Sequence, residues 1–381
     1  AARFARRVGA VSKIRERGLG KYETPLLGGL AILAGVLVAA ALWMPDIIRL
    51  PRLVGAKPGT GGGIVHTWGL MAGAALIALV GALDDAFDLR PQWKLLGQIA
   101  AALVAVESGV VVTDVTIPFV GALQFPNEGG VLTVIWLVGL MNVVNFSDGV
   151  DGLAAGLCAI DGIAFSVIAF DLGVGPAGIL AALTAGASLG FLFYNFHPAS
   201  VFMGDSGANL LGYLLGCAAV IGSLKTNAVV ALVVPLFVLA VPFLDTGFVV
   251  AKRLKYRRKP WSADANHFHH RMARIGFSER KTVAYLYVWS LLLAAVAVAL
   301  RFIPYHHDNP SYFRLGWSLV MIAIVLIAVG ASIYLVYVLE ILKFKSRRSR
   351  EIHEQEPDRS DSEVAARVQR DVETGEFEKV G

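Results

Sequence analysis

Long apolar runs separated by short polar segments make up most of the chain between residues 26 and 343. About twenty helical residues cross the hydrocarbon layer of a bilayer, and the runs approach that length. They predict ten spans, at roughly residues 26–44, 64–83, 95–113, 131–147, 152–172, 176–196, 208–223, 227–250, 282–303 and 316–343. The pattern therefore predicts an all-α, polytopic integral membrane helix bundle.

Three regions of different composition divide the chain. Residues 1–25 are basic, residues 26–343 form the predicted membrane-embedded domain, and residues 344–381 form a charged tail that we expect to be disordered or loosely helical. Only 17% of the 381 residues are charged, against about a quarter in soluble domains, and this excludes an ordinary soluble protein. Cys158 and Cys217 both lie in apolar runs, so we expect packing residues rather than a disulfide or a zinc site.

The distribution of Lys and Arg predicts which polar loops are cytoplasmic. If residues 1–25 lie inside, the inner loops are 84–94, 148–151, 197–207 and 251–281. These loops carry twelve Lys or Arg residues, against five in the outer connections, and the positive-inside rule favours this orientation. Every polar cluster described below then falls on the cytoplasmic face.

A regular series of polar residues ends one span and precedes the next. Asn142, Asn145, Asp148 and Asp151 recur at every third position. On a helix each such step falls about 60° short of a full turn, so the four side chains would fan along one side. Gly152 then allows the backbone to leave helical geometry. Oxygen atoms gathered in this way suit a cation or a phosphate–cation pair.

The first inner loop begins with two adjacent carboxylates, Asp84 and Asp85. Adjacent carboxylates repel each other unless a cation or a proton lies between them, which indicates a binding site. The alternative is a solvated loop rich in turn-forming residues. Lys94 and Gln98, at the start of the next span, have an alternative interpretation as interfacial residues whose polar ends reach the membrane surface.

Asn195 lies just before the third inner loop, and the loop itself contains, after a Gly, the pair Asp205 and Ser206. Because an apolar run follows directly, Asp205 or Ser206 could cap the N-terminus of a helix. The functional alternative is a carboxylate held beside a helix N-terminus, where phosphate is favoured. The residues do not decide between the two interpretations.

The fourth inner loop contains His267, His269, His270 and Arg271 within five residues. Their neighbours other than Phe268 and Met272 are polar or small, so the segment does not have the apolar surroundings of a core position. Metal binding is one interpretation. Imidazole and guanidinium groups that hold a phosphate or sugar oxygen fit equally well.

The motifs occur in order between about residues 24 and 290. They are Leu83-Asp84-Asp85 with Lys94-Leu95-Leu96-Gly97-Gln98, Asn142-x-x-Asn145-x-x-Asp148-Gly-x-Asp151-Gly-Leu, Tyr194-Asn195-Phe196-His197-Pro198 and Phe202-Met203-Gly204-Asp205-Ser206-Gly207. Together they resemble the polyprenyl-phosphate N-acetylhexosamine-1-phosphate transferases. The loop His267-x-His269-His270-Arg271 is similar to the branch that uses UDP-N-acetylglucosamine, whereas the phospho-N-acetylmuramoyl-pentapeptide translocases carry a different His-rich pattern.

The resemblance implies transfer of N-acetylglucosamine 1-phosphate from UDP-N-acetylglucosamine to undecaprenyl or decaprenyl phosphate, with release of UMP. This is the first membrane step of cell-envelope glycan synthesis, such as that of lipopolysaccharide or teichoic acid. The resemblance further implies Mg²⁺ as cofactor with Mn²⁺ as a substitute, no nucleic acid partner, and a bacterial inner (plasma) membrane protein with a cytoplasmic active site. A homodimer is compatible with such a bundle. The family's further N-terminal span, before Thr24-Pro25, would make eleven spans, and Leu26 stands where the family commonly has Arg.

The resemblance also implies roles for individual residues. Asp205 is expected to ligate Mg²⁺ together with Asp84 or Asp85, and the remaining member of that pair would deprotonate or orient the lipid phosphate. The expected substrate-binding residues are Lys94, Asn142, Asn145, Asp148, Asp151, Asn195, His267, His269, His270 and Arg271. Direct attack by the lipid phosphate is preferred over a two-step route through an aspartyl phosphate, and both remain open.

Two other functions fit parts of the pattern. Within the same class, the donor could be another UDP-amino sugar, such as UDP-N-acetylmuramoyl-pentapeptide. From a different class, a transporter would place ionisable residues near mid-membrane and on both faces. The one-sided distribution of polar clusters favours the transferase.

Overall fold

The structure is a computed structural model that describes residues 24–49, 64–112, 114–117, 121–125, 128–223 and 278–302, together with positions 5, 7, 10 and 11 and parts of 316–368. The chain divides into two compact units. One contains Ala1–Phe248 and Val283–Phe302, and the other contains Val249–Thr282 and Ile303–Gly381.

Helices make up most of the described chain, as the apolar runs predict. In chain order they are α1 (Gly28–Trp43), α2 (Thr67–Phe87), α3 (Pro91–Glu107), α4 (Gly129–Ser147), α5 (Leu153–Asp171), α6 (Gly175–Asn195), α7 (Gly204–Ser223), α8 (Glu279–Phe302) and a shorter apolar helix, α9 (Ile322–Tyr334). Among helices α1 to α8, the largest boundary difference is at the end of α3, predicted at residue 113 and found at Glu107. Gly109, with φ of 95°, follows this end, and such left-handed backbone does not continue a helix.

Within the described residues, five helices are long and apolar enough to cross a membrane: α2, α4, α5, α6 and α8 from Glu279 to Ala299. The chain is therefore a multi-pass membrane protein. The predicted span 227–250 lies outside the described residues, and the count of ten spans stays a prediction.

Helix α7 forms the centre of the first unit. All its residues from 206 to 221 are buried, and it contacts α1, α2, α4, α5 and α6. A helix that is apolar on every side is stable only when other elements surround it. Its Tyr213 is fully buried and donates a hydrogen bond to the carbonyl of Leu70 at 3.0 Å, so that its polar end is satisfied.

Two glycines allow other helices to approach the start of α7. A Cβ on Gly29 of α1 would lie 2.1 Å from the backbone N of Gly207, and one on Gly81 of α2 would lie 2.4 Å from the Cα of Ser206. Gly29 N–H also donates to the carbonyl of Met203 at 3.0 Å. These close approaches place the first turn of α7 between α1 and α2.

Two short antiparallel strand pairs add to the helices, so the description as all-α is incomplete. Strand β1 (Ile47–Arg49) pairs with β2 (Ile64–His66), with Ile48 opposite Val65. Strand β3 (Asp114–Ile117) pairs with β4 (Gly121–Gln124) between α3 and α4. Both pairs join helices at the end of the bundle opposite to the start of α7. The strands are only three or four residues long, too short for periodicity to reveal them.

The second unit contains α9, whose side chains are mostly exposed and apolar. In the charged tail, Ile352, Val364 and Val368 are buried together in a small cluster. Composition alone did not indicate buried apolar residues there. The described part of the first unit contains Cys158 and Cys217, both free and buried, as predicted for packing residues.

Candidate functional site

A polar cavity of about 610 Å³ lies at one end of the first unit, where α2, α4 and α6 end and α7 begins. It is lined by carboxylates and amides from three of the predicted inner loops, with apolar side chains beside them. The lining residues include Asp84, Asp85, Asp88, Asn145, Asp148, Asp151, Asn195 and Asp205, with Val11, Leu26 and Phe202. The prediction that these loops meet at one end of the bundle is confirmed.

Three oxygen atoms surround the ammonium of Lys94. The Nζ atom lies 3.3 Å from Asp84 Oδ2 and 3.1 Å from Asn145 Oδ1, and it also pairs with Asp205 Oδ2. Asn145 Nδ2 donates to the other oxygen of Asp205 at 2.7 Å. With Asp85, these residues form what we call the acidic cluster. The side chains come from four helices and bond mainly to one another, so the helix packing determines the cluster geometry.

Asp85 has a different set of partners from its neighbour Asp84. Its two carboxylate oxygens accept hydrogen bonds from the backbone N–H groups of Asp205 at 2.8 Å and Ser206 at 3.2 Å. It therefore caps α7 from another helix, a role that the sequence had suggested for Asp205 or Ser206 themselves. Helix α7 already begins at Gly204, so those two residues lie inside its first turn. Gly204, at φ of 66°, leaves room for the carboxylate, since a Cβ there would lie 2.4 Å from Asp85 Oδ2.

Residues 148–152, called here the glycine loop, connect α4 to α5 and are held through Gly152. Its N–H donates to Asn195 Oδ1 at 3.0 Å, and its carbonyl accepts a hydrogen bond from the hydroxyl of Tyr287. Gly152 has φ of 79°, a conformation that other residues adopt only with strain. Two separate helices, α6 and α8, thus fix the backbone of the loop at one residue.

The two carboxylates of the glycine loop have unlike surroundings. Asp151 Oδ2 lies 3.0 Å from His197 Nδ1 and accepts a hydrogen bond from Ala199 N–H at 2.9 Å. The carboxylate of Asp148 accepts no hydrogen bond from any residue that the structure describes. Burial raises the pKa of Asp148 well above its ordinary value, and nearby negative charges, with Asp205 the largest, add to that effect. Asp148 therefore lines the cavity as a carboxylate without a partner among those residues.

The donor atoms around Lys94 fit a hard divalent cation. Mg²⁺ prefers oxygen ligands, and Asp84, Asp205 and Asn145 direct one carboxylate or amide oxygen each toward a common centre. Lys94 places its positive charge at that centre and so offsets the negative charge of the two carboxylates. Its long, flexible stem allows the ammonium to move when a cation with two charges binds.

The structure brings together most of the predicted site residues: Asp84, Asp85, Lys94, Asn145, Asp148, Asp151, Asn195 and Asp205. Asn195 is buried and bonds to the backbone of Gly152 and Val201, whereas Asn142 bonds to Gln98 inside the bundle. The predicted residues His267, His269, His270 and Arg271 lie outside the described residues. The individual roles proposed for all these residues stay predictions.

Four residues near the site had no role assigned from sequence: Gln98, His197, Asn209 and Tyr287. The alternative interpretation of Gln98 as an interfacial residue is wrong, since only 1% of it is exposed and it bonds to the buried Asn209 and the partly buried Asn142. His197 and Asn209 belong to the quoted motifs or adjoin them, which was the available signal. Nothing in the sequence distinguishes Tyr287 from other aromatic residues in apolar helices.

Apolar helices around an acidic cavity at one end of the bundle define a multi-pass membrane enzyme. The glycosyl transferase family 4 model matches residues 67–223, which include every described member of the cluster and the loop. A decaprenyl-phosphate N-acetylglucosaminephosphotransferase of Mycolicibacterium smegmatis is 37% identical over 324 residues, covering 78% of this chain and 77% of the relative. The Mycobacterium tuberculosis protein of that name is 36% identical over 325 residues, covering 78% of each chain.

A second group of relatives has a different name. A phospho-N-acetylmuramoyl-pentapeptide-transferase of Desulforamulus reducens is 34% identical over 299 residues, covering 74% of this chain and 83% of the relative. Both groups are transferases, and the alignments extend over most of each chain. The protein belongs to glycosyl transferase family 4 and is a transferase.

Proposed function

We propose that the protein transfers N-acetylglucosamine 1-phosphate from UDP-N-acetylglucosamine to a polyprenyl phosphate, undecaprenyl or decaprenyl phosphate, and releases UMP. The observation that carries the proposal is the acidic cluster, where Lys94 and three oxygen atoms converge beside the start of α7. The mycobacterial relatives are named for a decaprenyl-phosphate acceptor and an N-acetylglucosamine phosphate group, which supports this choice of substrates.

In this reaction an oxygen of the lipid phosphate attacks the phosphorus that carries the sugar. The bond from that phosphorus to the bridging oxygen of the diphosphate breaks, and UMP leaves with the bridging oxygen. Such transfers depend mainly on positioning and on neutralising negative charge. Asp84, Asp205 and Asn145 would hold Mg²⁺, or Mn²⁺ in its place, which supplies positive charge to the diphosphate when bound.

The other residues bind and orient the two substrates. Lys94 would move from the carboxylates to a phosphate oxygen, to which an ammonium donates well. Asp148 and Asp151 would face the nucleotide, since both line the cavity and no residue in the described ranges donates a hydrogen bond to the carboxylate of Asp148. Attack by the lipid phosphate is direct, because a phosphate monoester is already largely ionised at neutral pH and needs no covalent enzyme intermediate.

The fourth inner loop belongs to the same proposal. His267, His269, His270 and Arg271 would hold the diphosphate or the sugar. The cavity would face the cytoplasm, in a bundle of ten spans in the inner membrane, since UDP-sugars are cytoplasmic and the lipid phosphate reaches the same surface. The apolar residues Val11, Leu26 and Phe202 line the cavity beside the carboxylates and could accommodate the start of a prenyl chain.

The second candidate donor is UDP-N-acetylmuramoyl-pentapeptide, which the relatives named as phospho-N-acetylmuramoyl-pentapeptide-transferases favour. A donor panel decides between the two. Purified protein in liposomes containing undecaprenyl or decaprenyl phosphate is incubated with each UDP-sugar and Mg²⁺, and UMP and the lipid product are measured.

We expect UMP release with UDP-N-acetylglucosamine, equal in amount to the lipid product and abolished by EDTA. A preference for the muramoyl-pentapeptide donor would replace the proposed substrate. Movement of a solute across the membrane without UMP release from any donor would contradict the transferase and support a transporter. A radiolabelled phosphoenzyme at Asp84 or Asp85 would overturn direct attack.

A further inference from the structure

A layer of neutral amides lies directly beneath the acidic cluster, on the same three helices. Helices α3, α4 and α7 each contribute one residue to the first layer and another residue to the second. The charged layer consists of Lys94, Asn145 and Asp205, and the amide layer consists of Gln98, Asn142 and Asn209. Each amide is three or four positions from its charged-layer counterpart, so it lies one helical turn away on the same face.

The three amides form one continuous chain of hydrogen bonds. Asn142 Nδ2 donates to Gln98 Oε1 at 2.9 Å, and Gln98 Nε2 donates to Asn209 Oδ1 at 2.8 Å. Asn209 Nδ2 then donates to the backbone carbonyl of Asp205 at 2.7 Å. All three hydrogen bonds are donated in the same direction, from Asn142 toward Asp205. Successive hydrogen bonds in such a series strengthen one another.

Burial favours a single arrangement of these hydrogen bonds, because a broken bond is costly away from water. Gln98 and Asn209 are each only 1% exposed, so a lost hydrogen bond would leave a buried polar group unpaired. Rotating either amide by half a turn would break the bonds on both of its sides. Sliding α3 by one turn would separate Gln98 from both of its partners, and sliding α4 or α7 would break one of these two interhelical bonds. The amide layer therefore has one favourable register of the three helices.

This series of hydrogen bonds ends at Asp205, whose carboxylate belongs to the acidic cluster. Asn209 lies one turn after Asp205 and bonds to its carbonyl, while Asp85 bonds to its N–H. The peptide groups on both sides of Asp205 are thus held by side chains. The direction of its carboxylate follows from this backbone.

We propose that Gln98, Asn142 and Asn209 are positioning residues that set the geometry of the cation site formed by Asp84, Asn145 and Asp205. None of the three lines the cavity, and Asn142 contributes through Gln98 rather than by contact with substrate. The part of the inference that concerns turnover rests on the proposed function. The part that concerns cation affinity can be measured without any substrate.

The test compares Asn209→Leu, Gln98→Leu and the double variant with the wild-type protein. Leu is close to these amides in size and removes their hydrogen bonds. Mn²⁺ binding is measured by electron paramagnetic resonance in detergent without substrates, alongside thermal unfolding and steady-state UMP release. Thr184→Val is the matched control, since Thr184 is fully buried on α6 and bonds only to its own helix at Leu180.

We expect each single variant to weaken Mn²⁺ binding about tenfold and to lower kcat by a similar factor, because small displacements of charged groups have large effects on catalysis. The KM for the donor should change less than about twofold, because the amides do not contact it. The double variant should regain thermal stability relative to the single variants, since no unpaired amide remains between the two sites. Its Mn²⁺ affinity should stay low.

Stability and cation affinity that recover together in the double variant would overturn the inference, because the amides would then serve folding alone. Wild-type Mn²⁺ affinity in a folded Asn209→Leu protein would do the same, as would a wild-type protein that binds no Mn²⁺. If the wild-type protein binds Mn²⁺ with the expected pattern among variants but releases no UMP from any donor, the proposed function fails and the inference about the cation site holds.

Discussion

The acidic cluster and the glycine loop line the same cavity, but they are held in place by different kinds of contact. In the cluster, charged side chains from separate helices bond to one another, with Lys94 between Asp84 and Asp205. In the loop, side chains from α6 and α8 bond to the backbone of Gly152, and the carboxylate of Asp148 stays unpaired by the described residues. One region is organised around a positive charge, and the other is organised around a backbone turn.

This difference separates two tasks. Groups that already surround a cation can accept a metal ion and a diphosphate without rearranging the backbone, which suits the stabilisation of charge during transfer. A fixed loop whose Asp148 carboxylate accepts no hydrogen bond within the described part of the chain suits recognition of a neutral, hydrogen-bonding part of the donor. Changes in the cluster should therefore affect turnover, and changes in the loop should affect donor affinity.

The largest effect is expected from Asp84→Asn in the acidic cluster. The change removes one charged ligand of the cation site while keeping the hydrogen bond that Leu89 N–H donates to the side chain at 2.8 Å. We expect kcat to fall at least about a hundredfold with little change in thermal stability. Asp171→Asn, at the opposite end of α5, makes the same chemical change on the surface and should keep the wild-type rate. A rate above a tenth of wild type would remove Asp84 from the cation site.

Lys94→Met tests whether the cluster needs a positive charge for stability as well as for turnover. Without the ammonium, Asp84 and Asp205 repel each other, so the unfolding temperature in EDTA should fall by roughly 2–4 °C, equivalent to about 1 kcal/mol. Added Mg²⁺ should then raise the unfolding temperature more in the variant than in the wild-type protein. Turnover should stay low in both conditions, because the phosphate contact is lost.

A smaller stabilisation of the Lys94→Met variant by Mg²⁺ than of the wild-type protein would contradict a shared cation site at Asp84, Asp205 and Lys94. In that case the carboxylates would not share a centre with the ammonium. The same pair of unfolding curves decides this without any substrate.

Tyr287→Phe tests the glycine loop and should have a moderate effect. The variant loses the hydrogen bond to the carbonyl of Gly152 but keeps the ring that packs against Gly156. We expect the donor KM to rise about fivefold with kcat nearly unchanged, as for the loss of about one hydrogen bond's contribution to binding. Tyr285→Phe, two positions away on an exposed part of α8, is the control. A drop in kcat with unchanged KM would show that the glycine loop affects turnover, as expected of the acidic cluster, and not donor affinity.

Asp148→Asn should have the smallest effect, which is a change in how thermal stability depends on pH. Because burial and negative neighbours raise the pKa of Asp148 in the folded protein, its ionised form costs stability above the ordinary value of about 4. In EDTA the variant should unfold about 1–2 °C above the wild-type protein at pH 8. The difference should shrink as the pH falls through the raised pKa and vanish below about pH 4. A difference that does not vary with pH would show that Asp148 is not in the negative surroundings described.

Much of the architecture could be predicted because a bilayer imposes simple rules on sequence. The length of apolar runs located the helices, and loop charges grouped Asp84, Asp148 and Asp205 at one end, where the structure places them. The strands β1 to β4 were not predicted, because three or four residues carry too little periodicity. The cap that Asp85 provides to α7 depends on two residues 120 positions apart, and no local pattern encodes such a contact.

Burial of polar residues was the hardest property to predict. Gln98 and Lys94 are one turn apart on α3 and both adjoin an apolar run, so the sequence gives them the same interpretation. Only the packing of α3 against α4 and α7 shows that Lys94 reaches the acidic cluster, whereas Gln98 bonds to Asn142 and Asn209. Tyr287 is a similar case, since its role depends on where α8 lies beside Gly152.

In the proposed reaction, Asp205 holds the cation that makes transfer of the sugar phosphate possible. The most direct measurement is UMP release from UDP-N-acetylglucosamine in liposomes with polyprenyl phosphate, as a function of Mg²⁺ concentration, for the wild-type protein and Asp205→Asn. We predict saturable Mg²⁺ dependence for the wild-type protein and a loss of at least about a hundredfold in the variant at every concentration, with the fold intact. A variant that retains more than a tenth of the wild-type rate, or a wild-type rate that does not depend on Mg²⁺, would contradict the claim.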